Sequence, residues 1–180
     1  MSVFPRLLAV CLLATFSQVD PGWAQVPGPV TTSLTVKGSV ERELSLSVED
    51  LKRLPVQRID DLRSVRDAAG AATSSETTRH YTGCLLRDVL ERAKPLEKKR
   101  LDFRKSVVIA TASDGYRAVF SWAELYLSPI GDGVLVVYER DGAPLGDNEG
   151  KIALVSLRDT RPGPRHVKWL QSIELRTLTD

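Results

Sequence analysis

The sequence predicts an α+β domain, mainly β, built as a mixed sheet or barrel with few short helices. Three observations lead there. Strand-length segments recur, alternating at 33–38 and largely apolar at 106–112, 133–139 and 151–157. Turn dipeptides such as Asp114-Gly115 and Asp141-Gly142 separate such runs at hairpin spacing. Only residues 85–93 carry a sustained helical period, with Leu86, Val89, Leu90 and Ala93 on one face. Strands in the majority with scattered helices define the α+β class.

Taken in order, residues 25–32 are rich in Pro and Gly and read as a short flexible lead-in. Residues 33–38 alternate apolar and polar side chains, as a half-buried strand does, and 41–45 is placed to pair with them. Ser47 then offers an N-cap with Asp50 three residues on, opening a short helix that carries Leu51 and Leu54 and ends at Pro55. Residues 58–78 are polar and poorly periodic, with small side chains from 68 to 75. They read as a long loop of the kind that binds ligands. The helix at 85–93 follows, then a Val- and Ile-rich strand at 106–112 that turns at Ser113-Asp114-Gly115 into 116–120. Ser121 and Glu124 form a second capping box. Strands at 133–139, 151–157 and 166–175 complete the domain, which spans residues 33–176.

The first 24 residues read as a secretory signal: Arg6 gives a basic start, 7–16 is an apolar run too short to span a bilayer, and Gly22-Trp23-Ala24 offers a cleavage site. Cleavage leaves residues 25–180, about one domain by size, with no transmembrane span. The expected location is periplasmic or secreted. Beyond the signal the chain has one cysteine, Cys84, so no disulfide closes within it. With 25 Lys+Arg against 23 Asp+Glu and the two signs interleaved, nothing points to nucleic acid.

The strongest chemical candidate is the cationic stretch at 158–168, where Arg158, Arg161, Arg165, Lys168 and His166 crowd a loop stiffened by Pro162, Gly163 and Pro164. Guanidinium forks match phosphate or carboxylate oxygens, and a stiff loop lowers the entropy cost of aiming several donors at one ligand. A solvated surface loop is the plainer use of such a cluster. Trp169 and Tyr116 offer flat faces for an aromatic ligand, although Trp169 also alternates with Leu170 as a core residue would. Asp159 is placed to accept paired hydrogen bonds from a heterocycle edge, and Asp114 is explained by turn chemistry.

Cys84 has two uses open to it. One is a thiolate stabilised near a helix N-terminus, with His80 four residues upstream as partner. The other is a small buried hydrophobe, which its apolar setting beside Leu85 and Leu86 favours. Two widely separated histidines and one cysteine make a poor metal-ligand set. The basic run from Lys94 to Lys105, containing Glu97 and Asp102, reads as a solvated helix exit.

Four segments in order carry a family resemblance: Tyr81-Thr82-Gly83-Cys84-Leu85-Leu86-Arg87-Asp88-Val89-Leu90, Ser113-Asp114-Gly115-Tyr116, Asp141-Gly142-Ala143-Pro144-Leu145 and Val167-Lys168-Trp169-Leu170-Gln171-Ser172-Ile173-Glu174. Together they resemble the sulfite-oxidase-type molybdopterin-binding domain. The resemblance implies that family's mainly β fold and a pterin cleft. It also implies that the family's molybdenum-binding cysteine would fall within 58–78, where this chain has none. Cys84 stands where the family usually carries Val or Pro, and a thiolate is not readily replaced as a soft metal ligand.

Small exported members of the family look like metal-free pterin sensors that report to membrane-bound cyclic-di-GMP enzymes, and the chain resembles that branch. The ligand-binding set expected on this basis is His80, Tyr116, Arg158, Asp159, Arg161, Arg165, Lys168 and Trp169. The expected cofactor is a reduced pterin or molybdopterin-like group without metal, and no residue is expected to be catalytic. The other reading is a molybdopterin-dependent oxidoreductase subunit in which Cys84 reaches a metal.

Overall fold

The computed structural model describes residues 28–61, 64–66, 72–76, 78–160 and 163–178. The expected signal, most of the lead-in and Arg161 lie outside the described residues. Two five-stranded sheets dominate. In the first, β1 (Ser33–Gly38), β2 (Leu44–Ser47), β7 (Ser106–Ala112), β8 (Arg117–Ser121) and β12 (Leu170–Thr177) run in the order β2-β1-β12-β7-β8. Only the β1–β12 pairing is parallel, with Thr35 beside Ser172, so this sheet is mixed.

The second sheet is antiparallel. It joins β3 (Val56–Asp61), β6 (Arg79–Leu85), β9 (Val134–Arg140) and β10 (Ala143–Pro144), with β11 (Ala153–Ser156) also on β9. A small hairpin of β4 (Ser64–Arg66) and β5 (Ala72–Glu76) stands beside them in sequence. The helices are short: α1 (Val48–Leu51), α2 (Leu86–Ala93) and α3 (Trp122–Tyr126). None of the described helices is long and apolar enough to cross a membrane.

Local chemistry accounts for these elements. Both capping boxes form: the Ser47 hydroxyl takes the Asp50 N–H and the Ser121 hydroxyl takes the Glu124 N–H, with each acid returning to its cap residue. In β7 every second residue is buried, from Ser106 to Ala112. Helix α2 buries Leu86, Val89, Leu90 and Ala93, the face its period marks out.

Strand β9 is buried from Val134 to Tyr138 because its two faces serve different cores. Val134, Val136 and Tyr138 join the main cluster with Leu90, Phe120, Leu154 and Ile173, while Leu135 and Val137 pack with Tyr81, Leu145, Ala153 and Val155. At Gly83 the β6–β9 register shifts, and a Cβ there would meet the Val136 carbonyl oxygen at 2.3 Å. Only glycine allows that approach.

Three expectations are corrected. Residues 58–78 are not one long loop, because β3 and the β4–β5 hairpin occupy most of them. Strand β3 escapes a periodicity reading since it is polar and lies at a sheet edge, with only Ile59 packing on the smaller core. The last strand begins at Leu170 rather than His166, because Trp169 takes a left-handed conformation, φ 48°, that breaks the extended run. Finally, Cys84 belongs to β6 rather than to a helix mouth: Leu85 is the N-cap of α2 and makes no side-chain cap.

The end of the lead-in is seated. The Ser113 hydroxyl donates to the Pro29 carbonyl at 2.6 Å, and Thr31 is buried.

Candidate ligand site

The cationic loop runs from the end of β11 to the start of β12, and its charges are largely turned on neighbouring acids. Arg165 forks onto Asp159, donating from Nε to Oδ2 at 2.8 Å and from Nη2 to Oδ1, while its Nη1 donates to Glu124 at 2.9 Å. Its guanidinium also lies 4.5 Å from the Phe120 ring centroid. Asp159 takes a further bond from the Ser156 hydroxyl at 2.8 Å.

The fork raises the Arg165 pKa further. Glu124 is pushed up by burial, but the Ser121 amide and Arg165 outweigh that and hold its carboxyl below the ordinary value. Arg158 donates to the Pro129 carbonyl at 3.2 Å and stands 3.6 Å from Asp132, which Arg87 holds at 2.8 Å. The Tyr116 hydroxyl donates to the Pro164 carbonyl. Tyr116, Asp159 and Arg165 thus brace the loop.

Trp169 forms part of the interior. It is 2% exposed, and its indole N–H donates to the Asp147 carbonyl at 2.8 Å. Its backbone N–H binds the Glu149 carbonyl at 2.7 Å, and its own carbonyl takes the Ser113 N–H. Lys168 is half-buried, with its ammonium 5.9 Å from the Trp169 ring centroid. His80 lies apart from this loop, exposed in β6. Its Nδ1 is 2.7 Å from Asp60 Oδ1, and its N–H donates to Asp141. The bond to Asp60 raises its pKa.

The most unusual chemistry sits by Trp169, at Glu149 and Thr31, neither of which was a sequence candidate, beside His166 of the cationic loop. Glu149 is 4% exposed, one carboxylate oxygen is held by Arg140, and the other lies 3.9 Å from His166 Nε2 with no hydrogen bond. Thr31 Oγ1 is likewise buried without a partner. Both adjoin Gly150, where a Cβ would sit 3.1 Å from Thr31 Oγ1 and 2.8 Å from Trp169 Cα. An acid before a glycine, Glu149-Gly150, ahead of an apolar run is the only trace the sequence offers. A buried acceptor left unbonded costs about 1–3 kcal/mol, so such a group calls for a partner, whether water, ion or ligand.

Cys84 is fully buried. Its Sγ faces the Val136 carbonyl at 3.9 Å, and burial pushes the thiol up to about 12. It packs in the core, and burial disfavours the thiolate that a nucleophile or metal ligand needs. Among the described residues, no group of three His, Cys, Asp or Glu side chains is placed to hold a metal ion.

A mainly β mixed fold with a polar centre under a braced cationic loop defines a domain class, and comparison supplies its family. The model of the oxidoreductase molybdopterin-binding domain matches residues 23–179, so the chain belongs to that family. A solved structure with this fold is the sulfane dehydrogenase SoxCD from Paracoccus pantotrophus. It shares 18% identity at a TM-score of 0.61, over 81% of this chain and 38% of that one. The chain therefore spans well under half of that protein, and the likeness is one of fold. No curated protein matches the chain. Glu149 offers an unbonded acceptor of the kind the donor edge of a pterin would take, whereas Cys84 is buried in the main core.

Proposed function

We propose that this chain is an exported pterin-binding protein without redox catalysis, working in the periplasm as a ligand sensor through a membrane signalling partner. The periplasmic domain of a cyclic-di-GMP enzyme is the partner class suggested by the resemblance. One observation supports the reading most: the polar centre has an unbonded buried carboxylate oxygen at Glu149, while the sole thiol beyond residue 24 lies in the core. A pterin presents an amino group and a ring N–H side by side, and the open Oε2, an oxygen with two lone pairs, accepts from that edge.

In this reading Glu149 takes the pterin edge. Lys168 and Arg158 hold polar or anionic groups of the ligand, and Arg165 with Asp159 keeps the loop in place. Arg161, Tyr116, Trp169 and His80 complete the proposed ligand set, with Trp169 as a wall.

Mass spectrometry of the small molecules that co-purify with the protein from its native host tests this directly. A bound pterin, absent from Glu149→Ala protein that still folds, is the expected result. Recovery of no pterin, together with no binding of a reduced pterin in solution, overturns it. Family membership favours a second reading, a molybdopterin-dependent oxidoreductase subunit. Stoichiometric molybdenum that disappears in Cys84→Ala would establish that reading instead.

A further inference from the structure

A second charged feature lies at the opposite end of β12 from Trp169. Eight strand residues separate the two ends, about 25 Å, so they cannot share one small ligand. Here the segment leaving α2 folds back over the ends of β1 and β12 and borders an open cavity of about 480 Å³. Its walls are Ser39, Lys98, Lys99, Asp102, Lys105, Thr177 and Leu178.

The segment is held in shape rather than splayed into solvent. The Leu96 N–H binds the Ser39 carbonyl at 2.9 Å, the Leu178 N–H binds the Lys105 carbonyl at 3.0 Å, and Phe103 stacks on Trp122 at 4.1 Å between ring centroids. Its two acids are turned on the backbone: Asp102 takes the Lys99 N–H at 2.6 Å and Glu97 takes the Leu101 N–H at 2.7 Å. Among the described residues neither carboxylate pairs with a lysine, and Lys98, Lys99 and Lys105 make no ion pair. Elsewhere Lys52, Lys94 and Lys151 each meet an acid.

Three unneutralised ammonium groups around a concave surface raise the local positive potential. The Ser39 hydroxyl accepts from Thr177 at 3.4 Å, so its own proton is available to a ligand. Leu101, held at φ 73° and 45% exposed, adds backbone strain of the kind that persists where the surroundings over-determine it.

From this arrangement we infer that the cavity is a second ligand site, for a phosphate-bearing anion held by Lys98, Lys99 and Lys105 with the Ser39 hydroxyl as hydrogen-bond donor. Lysine suits this use as a compact, mobile point charge. The site is independent of the pterin reading and stands or falls separately.

Calorimetric titration of the full chain with inorganic pyrophosphate at pH 7 tests the site. A parallel arm measures co-sedimentation with vesicles of phosphatidylglycerol and phosphatidylcholine. Binding at one site per chain is expected, weakened at least tenfold in the triple variant Lys98→Ala, Lys99→Ala, Lys105→Ala and unchanged in Arg117→Ala, a control that removes one positive charge away from the cavity. Binding of vesicles but not pyrophosphate, with the same dependence on the three lysines, assigns the anion to a lipid headgroup and supports the site. Absence of both, or equal weakening by Arg117→Ala, overturns it. Circular dichroism of the triple variant guards against loss of fold, and Ser39→Ala offers a second test with all charges kept.

Discussion

Glu149 Oε2 lies 3.9 Å from His166 Nε2, and neither atom is exposed to solvent in the polar centre beneath Trp169. The gap is too long for a hydrogen bond. It leaves a carboxylate anchored on one oxygen by Arg140 and open on the other. Both elements that carry it are fixed: β9 ends at Arg140, and Glu149 is tied through its carbonyl to Trp169.

Glu149→Ala removes the acid and leaves Arg140, which is only 29% exposed, without its strongest partner. A loss of about 1–3 kcal/mol in unfolding free energy is expected, measured by urea titration. Glu149→Gln keeps an acceptor for Arg140 and should lose less. Ligand affinity should still fall in Glu149→Gln, since the second oxygen or amide no longer offers a charged acceptor.

Arg165→Lys keeps the charge but abolishes the fork to Asp159 and the separate bond to Glu124. The expected cost is about 1–3 kcal/mol. Limited proteolysis should cleave the variant within 158–166 faster than the parent. Equal cleavage rates would show that the loop is held by Tyr116 and Pro164 instead.

The thiol of Cys84 should resist iodoacetamide at pH 8 in the folded protein and react fully once unfolded, because burial holds it protonated. The sign of the linkage follows. Above the ordinary thiol value the unfolded chain ionises while the folded one does not, so this group lowers stability as pH rises from about 9 towards about 12. Cys84→Ser buries an unmatched hydroxyl and should cost about 1–3 kcal/mol, more than Cys84→Ala.

His80 should titrate above 6.5 by NMR, and Asp60→Asn should return it towards that value. A raised pKa means that its pairing stabilises the fold fully below the ordinary histidine value and that the contribution fades as pH rises through the raised one. The group is exposed, so the effect belongs to the titration midpoint more than to melting.

What could be read from sequence was what local chemistry dictates. Ser47 and Ser121 cap their helices because a hydroxyl and an acid three residues on are sufficient for that motif. Leu86, Val89, Leu90 and Ala93 mark one face of α2 with no need of a partner. The family was legible because four of its motifs stand here in order, two of them at the turns Asp114-Gly115 and Asp141-Gly142.

The site was less legible for a physical reason. Arg165 and Asp159 are close in sequence, but Glu124 completes their network from another element. Glu149 acquires its meaning from Arg140 on β9, His166 across the loop and Thr31 near the start of the domain. Strand β3 was hidden because an edge strand needs few apolar residues. Trp169 read as both wall and stacking face, and its bond to Asp147 decides for the wall.

The last strand lies in the middle of the first sheet, between β1 and β7. Until β12 is in place, β2-β1 and β7-β8 are two unconnected hairpins, and the parallel edge of β1 is open. Folding must therefore bring Thr35 beside Ser172 across nearly the whole domain before the main core can close. Such non-local closure makes for slow folding and leaves strand edges exposed meanwhile. Deleting residues from 170 onward should divide the sheet rather than trim it, leaving a chain that aggregates instead of a shorter domain.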